Sequence, residues 1–139
     1  MPFVIDASIT MSWCFADESA PYSRGVLQSL LDTYAEVPAL WLFEVANVLA
    51  VGERRQRITA ALSDEFLKAL SGLDIRIEPR TSPVASMDLL VLVRRYGLTA
   101  YDAAYLELAK RKGLPLATLD KELITAASQE SVALVGQRA

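Results

Sequence analysis

Two short apolar runs, Phe3-Val4-Ile5 and Leu116-Ala117-Thr118-Leu119, each close on an aspartate, Asp6 and Asp120. Runs this short and this apolar suit strands buried on both faces, as in parallel sheets covered by helices. Stretches of helical periodicity separate them, so the expected class is α/β with a mostly parallel central sheet. In such sheets ligands bind beyond the carboxyl ends of the strands. Asp6 and Asp120 are therefore expected to share one edge.

The rest of the chain alternates in the same way. Ser8 is expected to cap a short helix running to about Phe15. Ser19 and Pro21 open a second helix with Val26, Leu27, Leu30 and Leu31 on its apolar face. Glu36-Val37-Pro38 reads as a strand, followed by a long helix over Trp41 to Gln56 whose core face is Trp41, Val45, Val48, Leu49 and Val51. A further helix begins at Arg57-Ile58-Thr59, ends near Gly72, and carries the stripe Leu62, Phe66, Leu67, Leu70. Leu73 to Ile77 alternates as a strand. Ser82-Pro83 starts a helix carrying Met87, Leu90, Val91 and Val93, which stops near Gly97. Thr99 caps the next, which ends at Lys112-Gly113 with a cationic last turn. Lys121 to Ser128 is expected as a helix and Ser131 to Val135 as a last strand.

Composition narrows the classes. Residues 1–139 suit one domain, and 53% hydrophobic with 22% charged residues describes a folded globular chain. The formal net charge of -3 argues against a protein that binds nucleic acid through bulk phosphate contacts. It is compatible with a nuclease whose acids reach phosphate through metal. Cys14 is the only cysteine and histidine is absent, so neither an intrachain disulfide nor a structural zinc site is expected. The N-terminal residues lack a basic region and the apolar runs are too short to cross a bilayer. A cytoplasmic protein without membrane contact is expected.

Four acids sit where a carboxylate is awkward. Asp6 and Asp120 end apolar strands, Glu44 interrupts Trp41-Leu42-Phe43 and Val45-Ala46, and Asp102 opens the apolar helix Ala103-Ala104-Tyr105-Leu106. Each has an ordinary reading. Asp6 and Asp120 suit helix N-caps, Glu44 a first helical turn, and Asp102 the end of the capping box Thr99-Ala100-Tyr101-Asp102. Those readings do not predict two acids on one sheet edge. Buried anions are costly unless paired or bound to a cation, and a hard divalent ion prefers oxygen ligands. Ser8 is placed to steady Asp6 by hydrogen bonding, and Asn47 shares a helix side with Glu44. Without histidine there is no Ser-His-Asp or Cys-His system. A metal replaces that base by lowering the pKa of bound water from ~16 to about 7–9. Arg54, Arg55 and Arg57 follow the Glu44 helix, either as a solvated face or as a guide for RNA phosphates.

Val4-Ile5-Asp6-Ala7-Ser8, Glu44-Val45-Ala46-Asn47-Val48-Leu49, Leu98 to Ala109 and Ala117-Thr118-Leu119-Asp120-Lys121-Glu122-Leu123, in that order, resemble the PIN domain, specifically the VapC-type toxins. The resemblance implies a three-layer α/β/α sandwich and Mg2+- or Mn2+-dependent endoribonuclease activity on an RNA substrate. It places the metal-binding acids at Asp6, Glu44, Asp102 and Asp120, with the small hydroxyl residue near the first acid at Ser8 and Thr118 placed similarly beside the fourth. It also implies a homodimer inhibited by a VapB-like antitoxin, whose Arg or Lys would occupy the metal's place. An apolar groove near the helices starting at Ser19 and Ser63 would receive that partner. Two other classes compete. A non-catalytic module of the same fold would keep the shape without the chemistry. An aspartyl-phosphate phosphatase or receiver also places an aspartate after a strand. Ser8, however, stands where the phosphatases need a second acid, and the acids a receiver needs are missing.

Overall fold

Four strands, β1 (Phe3–Ile5), β2 (Ala35–Pro38), β3 (Ile75–Glu78) and β4 (Leu116–Ala117), form one sheet in the order β3-β2-β1-β4. The structure is a computed structural model describing residues 1–79 and 83–136, the side chains of 83–85 excepted. All pairings between the strands are parallel, with Val4 opposite both Glu36 and Leu116 and Ile5 opposite Ala117. Among the described residues seven α-helices flank the sheet: α1 (Ala7–Ser12), α2 (Pro21–Ser29), α3 (Leu40–Arg54), α4 (Ala60–Ser71), α5 (Pro83–Tyr96), α6 (Ala100–Lys112) and α7 (Lys121–Gln129). The fold is the expected α/β/α sandwich.

From β1 the chain builds β2 and β3 on one side and returns with β4 on the other. The strand order therefore reverses between β1 and β4, and it is beyond the carboxyl ends of strands at such a switch point that α/β sheets bind ligands. Both strands are wholly buried. Burying each large aliphatic side chain contributes about 1.5–3 kcal/mol, which fixes where Asp6 and Asp120 emerge.

Helix α6 backs this part of the sheet. It packs on β1, β2 and β4 and buries Ala103, Ala104, Tyr105, Leu106, Leu108 and Ala109. Its small residues bring the helix close to the sheet. It stops at Gly113, which takes φ +65°, a left-handed conformation open to glycine at little cost. The Leu114 N–H then donates to the Ala109 carbonyl (2.9 Å), turning the chain into β4. Helix α3 is tied to α1 at its start: Trp41 Nε1 donates to Thr10 Oγ1 (2.9 Å), and Thr10 Oγ1 to the Asp6 carbonyl (3.2 Å).

Several local expectations change. Asp6, not Ser8, caps α1, accepting the Ile9 N–H, because Asp6 is the last extended residue before the helix. Leu31 lies past the end of α2 and is 83% exposed. On α4, Leu62 and Leu67 are exposed, while Phe66 and Leu70 face the core. On α5 only Val93 of the expected stripe faces inward, together with Leu89, Leu92 and Tyr96, whereas Met87, Leu90 and Val91 are exposed. Five consecutive apolar residues, Leu89 to Val93, point in every direction around a helix, so periodicity cannot choose the face. Ser82 lies outside the described residues. The last strand shrinks to one parallel bridge, Leu116 to Leu134. It is held by Leu116 N–H to Ala133 O (2.9 Å) and Val135 N–H to Leu116 O (3.0 Å).

Ser63 on α4 is buried, and its hydroxyl has no hydrogen-bond partner among the described residues. An unsatisfied buried hydroxyl costs about 1–3 kcal/mol, and alanine is the better helix former. Ser63→Ala is expected to stabilise the chain by roughly 1 kcal/mol, read as a higher denaturant midpoint at unchanged slope. A lower midpoint would show that the hydroxyl is satisfied.

Candidate metal centre

Asp6 is 3% exposed and its carboxylate is fully engaged. Ser8 Oγ donates to Oδ1 (2.6 Å), the Ile9 N–H to the same oxygen (3.1 Å), and Thr118 Oγ1 to Oδ2. Two backbone amides position the hydroxyls in turn: Leu119 N–H donates to Ser8 Oγ (3.0 Å) and Asp120 N–H to Thr118 Oγ1 (3.0 Å). Ser8 and Thr118 thus lock the end of β1 to the end of β4 through Asp6. Burial raises the Asp6 pKa to about 6, against the lowering effect of its three donors, and the charge of Asp102 adds to the rise.

Asp120 caps α7: its Oδ1 accepts the Glu122 N–H (2.9 Å) and the Leu123 N–H (3.1 Å). Asp102 sits in the first turn of α6, where Thr99 Oγ1 accepts its N–H (3.1 Å). Its carboxyl is held above the usual range by burial and then by the charge of Asp120, with Thr99 opposing. Glu44 projects from the first turns of α3 and accepts the Tyr105 hydroxyl on Oε1. Burial raises its pKa, the Tyr105 bond opposes, and the Asp102 charge adds. Asp102 is therefore the hub through which the four charges act on one another. Asn47, expected beside Glu44, is exposed and carries no hydrogen bond among the described residues, because its position turns outward from α3.

Tyr105 was not singled out in the sequence as a site residue. A tyrosine in an apolar helix reads as core, and it is indeed 1% exposed. Its only advance signal is its place one turn beyond Asp102. Burial, the bond to Glu44 and the charges of Glu44, Asp6 and Asp102 all push its pKa up, so the phenol stays neutral.

The clearest electrostatic feature is a division among acids. Eight acidic residues are less than exposed: Asp6, Glu36, Glu44, Glu78, Asp102, Glu107, Asp120 and Glu130. Four of them are paired with cations. Lys112 bridges Glu36 and Glu78 (2.6 Å each), Arg111 holds Glu107 (2.8 Å), and Lys110 (2.6 Å) and Arg95 (2.8 Å) hold Glu130, whose pKa falls to about 2. The other four are the acids picked out in the sequence, and none forms an ion pair among the described residues. This all-oxygen, uncompensated set has the chemistry a hard divalent cation requires. As they stand, no three such side chains among the described residues are already arranged to hold an ion. Arg57 is committed elsewhere, bonded to Asp17 (3.0 Å) and lying over the Phe15 ring (4.4 Å). Arg54 and Arg55 are exposed.

Residues 3–128 match the family described as the PIN domain. The chain is 27% identical over 123 residues to a Pyrobaculum aerophilum protein named Ribonuclease VapC3, covering 88% of this chain and 92% of that one. It is 38% identical over 86 residues to Exonuclease VapC9 of the same organism, 61% of either chain. A crystal structure of VapBC2 from Rickettsia felis bound to a promoter DNA fragment superposes with a TM-score of 0.67. It has 12% identity and covers 96% of this chain and 97% of that one; this likeness shows the fold alone.

Asp6 in the folded chain keeps its proton up to about pH 6, whereas an unfolded aspartate releases it near ~3.9. The folded state binds more protons between those values, so stability falls as pH rises through this window and stays lower above it. In chelator at about pH 8, Asp6→Asn is expected to stabilise the chain by roughly 1–2 kcal/mol, since each tenfold change in proton affinity is worth about 1.4 kcal/mol. It also flattens the stability profile between about pH 4 and 6. A variant with the wild-type profile would contradict this assignment of the titrating group.

Proposed function

Because the chain belongs to the PIN-domain family, we propose that it is a Mg2+- or Mn2+-dependent endoribonuclease and the toxin of a toxin–antitoxin pair. The observation that carries this reading is the division of acids. Among the described residues every other acid of comparable burial has a lysine or arginine, while Asp6, Glu44, Asp102 and Asp120 have none. These four would hold the ion. When bound, such an ion acts as a Lewis acid toward phosphate and eases loss of a proton from water.

The chain's own groups orient the ligands. Ser8, Thr118 and the Ile9 amide fix Asp6, and the first turn of α7 fixes Asp120. Arg54 and Arg55 would guide RNA phosphates toward the acids; Arg57, held by Asp17, would add less. The relative named as a ribonuclease supports RNA as the substrate class.

A VapB-like antitoxin would seat apolar side chains in the open cleft of about 670 Å³ lined by Trp13, Phe15, Ile58, Leu62 and Phe66. A basic side chain from it would then neutralise the acids. A homodimer would cover exposed apolar surface such as Met87, Leu90 and Val91 on α5. Among the described residues no helix is long and apolar enough to cross a membrane.

The relative named as an exonuclease favours a second reading, removal of nucleotides from ends. A circular RNA separates the two, because only an endonuclease can open it. The purified chain with Mg2+ or Mn2+ is expected to linearise the circle, and chelator to abolish this. Asp6→Asn is expected to lower the rate roughly a hundredfold or more, beyond the 10–100-fold cost of losing a neighbouring hydrogen bond. Intact circles beside degraded linear RNA would favour the exonuclease. Equal cleavage by Asp6→Asn, or in chelator, would reject the metal-dependent assignment.

A further inference from the structure

We infer that Tyr105 is a positioning residue for the metal centre proposed above: its hydroxyl anchors one oxygen of Glu44 and leaves the second available to the ion. The inference rests on that reading of the four acids. Glu44 is the least constrained of them by the backbone, a long side chain rising from a half-exposed helix position. Fixing a glutamate side chain costs rotamer freedom that a shorter acid does not lose. Tyr105 supplies a rigid anchor, because its ring is buried in α6 and only its hydroxyl emerges to meet Oε1. Among the described residues Oε2 has no hydrogen bond or ion pair.

The chemical type of the anchor matters. Two residues further along α6, Glu107 is held by a cation, Arg111. At Glu130 a tyrosine donor, Tyr96, works together with Lys110 and Arg95. Among the described residues the tyrosine at Glu44 donates alone. A neutral donor fixes the carboxylate without cancelling its charge, which is what a cation-binding centre needs and a structural ion pair does not. Helix α6 then contributes twice, with Asp102 as an acid of the centre and Tyr105, one turn later, as the anchor of an acid on α3.

The test is Mn2+ binding by calorimetry to the full chain without RNA, for the wild type, Tyr105→Phe, Glu44→Gln and the double variant. Tyr105→Phe keeps the ring and is expected to weaken Mn2+ roughly tenfold. In the Glu44→Gln background the same change is expected to have less than about a twofold effect, since the anchored group is gone. In RNA cleavage, kcat is expected to fall while KM for RNA stays within about twofold. Wild-type Mn2+ affinity in Tyr105→Phe, or an equal loss with and without the Glu44 carboxylate, overturns the inference. Should Tyr105→Phe fail to fold, Glu44→Asp approaches the contact from its exposed side. Its arm is too short to reach the hydroxyl, so it is expected to bind Mn2+ weakly, and wild-type affinity would overturn the inference. Asp6→Asn is the control: if it binds Mn2+ as the wild type does, or if neither binds, the metal reading itself fails and this inference falls with it.

Discussion

Uncompensated negative charge at the carboxyl ends of β1 and β4 is the constraint on which the account rests. Desolvating a carboxylate is unfavourable, and the protein offsets it with lysine or arginine at Glu36, Glu78, Glu107 and Glu130. At Asp6, Glu44, Asp102 and Asp120 it supplies hydroxyls, amides and a phenol. Those groups orient the oxygens while leaving the charge in place. The fold brings two of them to one edge: β1 and β4 are fully buried neighbours where the strand order reverses, so Asp6 and Asp120 leave the sheet on the same side.

The framework around the acids is stiff where it must be. Asp6 bonds to α1 on one side and to Thr118 on the other, joining residues far apart in sequence. The link from Trp41 through Thr10 to the Asp6 carbonyl ties the start of α3 to the same strand end. Small residues in α6 let Asp102 and Tyr105 approach. This rigidity has a cost in stability, because burial holds a charge-prone Asp6 with its pKa near 6.

Much of this was legible in the sequence. Apolar runs that stop on an aspartate announce both the strand and the edge on which its acid falls. Glu44 was visible because a carboxylate between two apolar stretches has no cheap solvent-facing explanation. Other features were not legible. Ser8 and Asp6 are both good caps, and only the backbone shows that Asp6 caps while Ser8 bonds its carboxylate. Of the stripe expected on α5 only Val93 turns inward, because Leu89 to Val93 is apolar all round and periodicity picks no face. Asn47 shares a helix side with Glu44 by spacing, but three positions along the helix it has already turned to solvent. Tyr105 is the instructive miss: a buried tyrosine satisfies every rule for a core residue, and only the position of its hydroxyl separates anchor from filler.

The central claim is that the charge of these four carboxylates is unbalanced until a divalent cation arrives. Thermal unfolding with and without Mg2+ or Mn2+ tests it most directly, comparing the wild type with a chain carrying Asn or Gln at all four positions. An ion present at about a hundred times its Kd stabilises by about 2.7 kcal/mol, so the wild-type Tm is expected to rise by roughly 5–10 °C. The neutralised chain is expected to melt higher in chelator and to ignore the ion. A wild-type Tm unmoved by about 10 mM of either ion, well above ordinary millimolar affinities, would show that the charge is balanced from within the protein and would contradict the account.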